Sequence, residues 1–143
     1  MAQIFQTCGK STFSARVLLW MFGPLERQEV HLANPSKAGG YLELERVRVR
    51  WFLSIDRHDL PKENQAAGKW TFRSITVDGE EIEFSDGFND LHTQVYREIL
   101  AGNGFGIEET RPSINLAYQI RTTQPIGVHG EYSHPMLHGL PPR

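Results

Sequence analysis

Between Val47 and Ile55 apolar and polar positions alternate: Val47, Val49, Trp51, Leu53 and Ile55 fall on one side, and Arg46, Arg48 and Arg50 on the other. A period of two marks a β-strand with one buried and one accessible face, because successive side chains of a strand point to opposite sides. With its lead-in, the block Tyr41-Leu-Glu-Leu-Glu-Arg-Val-Arg-Val-Arg-Trp-Phe-Leu-Ser-Ile55 predicts one long strand. A shorter strand is expected over Glu26–Leu32. Trp70–Val77 and Glu81–Phe84 flank Asp78-Gly79, a dipeptide that tolerates the positive φ of a tight turn, and so predict an antiparallel hairpin.

Helical spacing governs the remainder. Ser14 stands where a cap opens a helix over Ala15–Phe22, with Gly23-Pro24 as its stop. Phe88, Leu91, Val95, Ile99 and Leu100 share one stripe of a second helix, capped by Ser85 or Asp86 and ended at Gly102. A third opens at Arg111-Pro112-Ser113, with Pro112 where a missing N–H is harmless, and runs to about Thr122. Met1–Lys10 is expected to be irregular and Asp56–Lys69 to be an exposed loop. The Pro- and His-containing stretch from Gln124 is expected to be irregular and partly mobile. Together these elements predict an α+β fold: a mostly antiparallel open sheet with helices on one face and the other face available for oligomerisation. The chain divides into a divergent segment 1–16, an α+β domain 17–123 and a tail 124–143.

Composition narrows the class. A chain of 143 residues is one domain, long enough to bury roughly 70 % of its unfolded surface. A net charge of −2 gives no global pull toward nucleic acid or anionic membranes. No apolar run approaches membrane-spanning length and no secretory leader pattern opens the chain, so a cytoplasmic, non-membrane location is expected. A single cysteine, Cys8, excludes an internal disulfide and has no base or metal partner beside it in sequence.

Candidate chemistry is sparse. Three arginines on one strand face repel each other unless glutamates on neighbouring strands, a subunit partner or a bound phosphate relieve them. Cross-strand pairing is the commoner solution, and surface pairs of this kind are weak. An isologous partner is the second solution, because Glu43 and Glu45 lie on the same block and make it self-complementary about a two-fold axis. His129, His134 and His138 have no cysteine or orienting partner that would make them a metal site. No Gly-x-Ser-x-Gly elbow or Ser/His/Asp order points to a hydrolase. Trp20, Trp51 and Trp70 are expected in the core, since a base-stacking surface needs basic residues interleaved with exposed rings. Gly102-Asn-Gly-Phe-Gly106 follows a helical pattern instead of a strand, so it reads as a helix stop, not as a pyrophosphate-binding turn.

Longer strings carry a resemblance. Leu18-Leu-Trp-Met-Phe-Gly-Pro24, Gly39-Gly-Tyr-Leu-Glu-Leu-Glu45, Thr71-Phe-Arg-Ser-Ile-Thr-Val-Asp-Gly79, Ser85-Asp-Gly-Phe-Asn-Asp-Leu-His-Thr93 and Gly104-Phe-Gly-Ile-Glu-Glu-Thr-Arg-Pro-Ser113 occur in that order. From about Val17 to Tyr132 the chain resembles the C-terminal half of the Gfo/Idh/MocA oxidoreductases, in the branch that oxidises UDP-N-acetylglucosaminuronate. The resemblance implies NAD(P) as cofactor of a full-length relative, with a hydride passing from the sugar C3 to nicotinamide. It implies a homo-oligomer joined through the open sheet face bearing Arg46, Arg48 and Arg50, and a UDP-sugar as ligand. Asp90, His92 and Thr93 match a string on the substrate side of relatives and are candidate substrate contacts. The family's dinucleotide-binding domain and its Glu-Lys-Pro lysine have no counterpart here, and Phe13 falls where relatives carry the acid/base histidine. No catalytic, cofactor or metal residue is therefore assigned. Two readings follow: the substrate-binding and oligomerising half of a nucleotide-sugar oxidoreductase, inactive alone and completed by a separately encoded dinucleotide-binding half, or a non-enzymatic dimerising remnant or scaffold.

Overall fold

The computed structural model describes residues 1–7, 12–85 and 90–138. Six strands form one sheet: β1 (Ala2–Thr7), β2 (Leu25–Ala33), β3 (Lys37–Leu44), β4 (Val47–Ser54), β5 (Phe72–Val77) and β6 (Glu80–Glu83), in the order β2-β3-β4-β1-β5-β6. The β1–β4 pair is parallel and the other neighbours are antiparallel. Among the described residues four helices, α1 (Thr12–Phe22), α2 (Lys62–Ala66), α3 (Leu91–Leu100) and α4 (Ile107–Thr122), complete an α+β fold with a mostly antiparallel open sheet.

Three local expectations are corrected. Residues 2–7 are not irregular: β1 lies in the middle of the sheet, bonded to β4 on one side and β5 on the other, with Ala2 and Ile4 buried. Its alternation spans too few residues to stand out, and its stability comes from partners some fifty and seventy positions away. The long strand over Tyr41–Ile55 is instead two strands, with Glu45-Arg46 as the turn that pairs Leu44 with Val47 and Leu42 with Val49. The turn lacks the usual Gly or Asn and is held from outside. The Glu45 N–H donates to the Pro24 carbonyl and the Arg46 N–H to the Phe22 carbonyl, each at 3.1 Å. α4 begins at Ile107, not Arg111, because the Glu109 carboxylate accepts from the Gly106 N–H at 2.7 Å and caps the helix one turn earlier. Pro112 consequently lies inside the helix. The hairpin turn agrees with expectation: Asp78 and Gly79 have φ of 52° and 88°.

α1 and α4 pack together over one sheet face, where Ile4, Leu18, Val30, Leu42, Val49, Trp51 and Leu116 form the core. Gly40 makes this closeness possible, since a Cβ there would lie 2.9 Å from the Trp51 ring and 2.1 Å from the Glu29 carbonyl oxygen. The opposite face is covered in part by the chain's own C-terminal segment. Tyr132 packs on Tyr41 at 4.9 Å between ring centroids, His134 stacks on Phe52 at 5.7 Å, and Leu137 is buried over Gly39. Phe52 also stacks on Phe5, which meets Phe72. The segment expected to be an irregular tail has little regular structure but is docked as a strap, ending in a 3-10 turn at Pro135–Leu137. Cys8, Asp86 and Phe88 lie outside the described residues.

Candidate functional site

A polar concavity sits where β1 and β4, running in parallel, reach their C-terminal ends. There Gln6, Asn34, Ser36, Lys37 and Ser54 line a groove of about 170 Å³. Ends of parallel strands are favoured ligand positions in open sheets, because loops diverge there and leave a crevice. The groove's polar groups hold one another in place. The Asn34 Oδ1 accepts from the backbone N–H groups of Ser36 (2.9 Å) and Lys37 (2.7 Å). The Lys37 ammonium bridges Asp59 at 2.8 Å and Asp56 at 3.4 Å. Burial presses that ammonium toward the neutral form, yet the two carboxylates outweigh it and raise its pKa. The Ser54 hydroxyl donates to the Asp59 carboxylate at 2.5 Å. Asp56 is held down to about 2, chiefly by the His58 backbone N–H and then by the His58 ring. Such a groove offers fixed hydrogen-bond partners to a polar ligand.

The arginine face divides three ways. Arg46 lies in the exposed β3–β4 turn instead of on a strand face. Arg48 pairs across the strands with Glu43 at 3.0 Å, the cross-strand solution to the ladder's repulsion. Arg50 is half-buried under the strap, where one guanidinium nitrogen donates to the Glu131 carbonyl at 3.4 Å while Nε has no partner among the described residues. Beside it His134 is held down to about 4, first by burial and then by the Arg50 charge.

Asp90, His92 and Thr93 occupy the start of α3, all exposed, with Asp90 in the left-handed region at φ 60° and no side-chain cap bond. None of them lines the polar groove. The three tail histidines are dispersed: His129 approaches His31, His134 lies on Phe52, and His138 bonds the Ser133 hydroxyl at 2.8 Å. Among the described residues no group of three or more metal-ligating side chains converges. The tryptophan expectation needs correction. Trp51 is core, but Trp20 and Trp70 are 81 % and 68 % exposed, and the Arg57 guanidinium lies over the Trp70 ring. One partly buried cluster had no sequence signal: β2 carries Glu29 between the exposed Arg27 and the buried His31. Burial pushes the Glu29 carboxyl up, but hydrogen bonds from His31 and Arg27 together leave it below its ordinary value.

The helix N-terminus that follows the glycine cluster does not suit a dinucleotide. The Gly106 N–H is taken by Glu109, and Glu108 and Glu109 place two negative charges in the first turn of α4, where a pyrophosphate would be repelled. The described residues thus do not fit a nicotinamide dinucleotide at this position.

The fold of this chain matches that of about half of a solved dehydrogenase. Over 95 % of its length it matches the WlbA (WbpB) dehydrogenase from Thermus thermophilus in complex with NAD and alpha-ketoglutarate, with 40 % sequence identity and a TM-score of 0.87, covering 51 % of that chain. It matches the same enzyme in complex with NAD and UDP-GlcNAcA with 40 % identity and a TM-score of 0.84, covering 95 % of this chain and 52 % of that one. The chain therefore spans about half the length of the solved structures it matches. No protein-family model matches it. No helix among the described residues is long and apolar enough to cross a membrane.

Proposed function

We propose that this chain is the substrate-binding and oligomerising half of an NAD-dependent UDP-N-acetylhexosaminuronate oxidoreductase of the Gfo/Idh/MocA family. The observation that carries the reading is the 40 % identity, over 95 % of this chain, to a dehydrogenase solved with NAD and UDP-GlcNAcA. Two features of the chain support it. The polar groove at the ends of β1 and β4 supplies fixed amide, hydroxyl and ammonium groups of the kind that hold a sugar acid. Asp90, His92 and Thr93 stand free at the start of α3 as further contacts for a ligand held between this half and another.

By itself the chain is inactive. A bound nicotinamide dinucleotide supplies the hydride acceptor in enzymes of this class, and the N-terminus of α4, where Glu109 takes the Gly106 N–H, does not cradle it. What the chain contributes is orientation of the sugar nucleotide. Its oligomer forms through the part of the second sheet face that the strap leaves open, around Glu43 and Arg48 and beside the turn that carries Arg46.

Calorimetric titration with UDP-GlcNAcA tests the reading directly. Binding at micromolar to millimolar concentration without NADH formation is the expected result. Heat no greater than dilution would replace the substrate-binding half with a bare scaffold, and NADH formation by this chain alone would overturn its inactivity. Light scattering at micromolar concentration is expected to give more than one copy per particle.

A further inference from the structure

We propose that the C-terminal strap is an acid-released cover: protonation of His134 undocks residues 124–138 from the sheet and uncovers Tyr41 and Phe52. The release is independent of the sugar-nucleotide reading.

The strap is seated at few points. Every residue from Gln124 to Glu131 is exposed, and of residues 124–138 only Ser133, His134 and Leu137 are buried. The lead-in bends at Gly127 and Gly130, with φ of 90° and 73°, values that glycine adopts without strain. A backbone bond ties it to the sheet, from the Ile126 N–H to the Val30 carbonyl at 2.9 Å. Segments with few buried contacts open at lower free energy than the strands beneath them.

His134 is the centre of the seat. It is 4 % exposed, stacks on Phe52, and its Nδ1 accepts from the Met136 N–H at 3.2 Å. That bond caps the 3-10 turn Pro135–Leu137, which sets Leu137 over Gly39. An acceptor nitrogen carries no proton, so the docked ring is neutral with its hydrogen on Nε2. A second proton has only Nδ1 to occupy, where it faces the Met136 N–H and turns an accepted bond into two opposed donors. Titration and undocking are thereby one event. The charge removes the cap, and the cap holds the turn that seats Leu137.

The surroundings oppose the charge as well. From β4 the half-buried Arg50 guanidinium bears on the ring, with its Nε unpartnered among the described residues. β3 brings Tyr41, whose ring meets Tyr132 of the strap. β1 brings the uncharged Phe5 against Phe52. On the strap itself His138 bonds the Ser133 hydroxyl, and Glu131 turns its carbonyl toward Arg50. Among the described residues no carboxylate bonds the His134 ring. Burial first and Arg50 second hold its pKa down to about 4, against an ordinary 6.5. A lowered value means that docking is at full strength above pH 6.5 and weakens as the pH falls toward 4. With the open strap titrating at the ordinary value, the opening equilibrium rises about twentyfold from pH 7 to pH 5. Opening bares Tyr41 and Phe52, 1 % and 0 % exposed when covered, so the open part of the second sheet face grows in acid.

Hydrogen exchange of the full chain between pH 7 and pH 5, corrected for the intrinsic pH dependence of amide exchange, tests the release, with His134→Asn and Arg50→Gln alongside. The expected result is an open population about twentyfold higher at the Ile126, Leu137 and His138 amides, with strands β3 and β4 unchanged. His134→Asn keeps an acceptor for the Met136 N–H but takes no charge, and should leave strap protection independent of pH. Arg50→Gln removes the cation that opposes protonation, so the docked ring binds its proton more readily and the rise should shrink to a few-fold. Strap protection that does not move with pH overturns the proposal, and so does an undiminished rise in His134→Asn. Loss of protection from strap and strands together overturns it too, because acid would then act on the fold as a whole. The unsubstituted chain alone decides between local release and global loss, whether or not a variant folds.

Discussion

The strap side of the sheet and the outer side of the helices present the same raw material with opposite outcomes. Both offer aromatic and aliphatic rows at regular spacing. On the sheet side Tyr41 and Phe52 are buried because residues 130–138 of the same chain return to cover them. On the helix side Tyr96, Leu100, Phe105 and Tyr118 stay largely in solvent because no described residue buries them, the Arg16 guanidinium over the Phe105 ring notwithstanding. Periodicity states that a face needs a partner; it does not state whose.

That contrast can be broken most forcefully at Phe52, which stacks on Phe5 and His134 with no exposed surface. Phe52→Ala is expected to lower stability by about 4 kcal/mol through lost burial and the cavity left behind, read from urea unfolding at neutral pH. A loss under about 1 kcal/mol would mean that the strap side is as open as the helix side.

The strap should next reveal itself through pH. His134 is held near 4 in the folded chain against an ordinary value of 6.5, so the unfolded chain binds its proton more readily. A depressed folded value means that stability is fully present above pH 6.5 and falls as the pH is lowered toward 4. One pH unit in this window corresponds to about 1.4 kcal/mol, so about 2 kcal/mol is expected to be lost between pH 7 and pH 5. His134→Asn, which keeps an acceptor for the Met136 N–H that now bonds the His134 Nδ1, should flatten the dependence over that interval. An unchanged slope would show the strap to be loosely held.

A smaller effect is expected at Gly39, where an added Cβ would lie 2.8 Å from Leu137 Cδ2. Because Leu137 can shift its side chain, Gly39→Ala should cost only about 1 kcal/mol. Leu137→Ala in the same background should recover the clash but not the burial, giving a non-additive cycle by urea unfolding. The smallest effect belongs to the open side. Leu100→Ser is expected to change stability by no more than about 0.5 kcal/mol in this chain alone. A larger change would mean that α3 is already covered, by a second copy of the chain.

Much of the fold was legible along the chain. The Asp78-Gly79 hairpin, the Glu26–Leu32 strand and the α3 stripe were readable because each rests on a local rule of spacing or turn chemistry. Two elements were not. β1 depends on β4 and β5 for both its edges, and no stretch of six residues announces such distant partners. The Glu45-Arg46 turn was invisible because apolar alternation runs through it unbroken, and the bonds that bend it come from Phe22 and Pro24. As candidate site residues the sequence pointed to the arginines and the Asp90–Thr93 string, none of which lines the polar groove. It could not show that Arg48 is satisfied by Glu43, that Arg50 lies under the strap, or that Lys37 meets Asp56 and Asp59.

Local pattern alone determined most of the strands and helices, which faces are apolar, and that the glycine cluster ends a helix. These follow from backbone sterics and side-chain direction over a few neighbouring residues. Tertiary structure alone decided the central place of β1, the closing of one sheet face by the strap, and the exposure of the α3–α4 surface. Each of these is a competition between distant segments for the same apolar area, and only three-dimensional proximity can settle which segment wins.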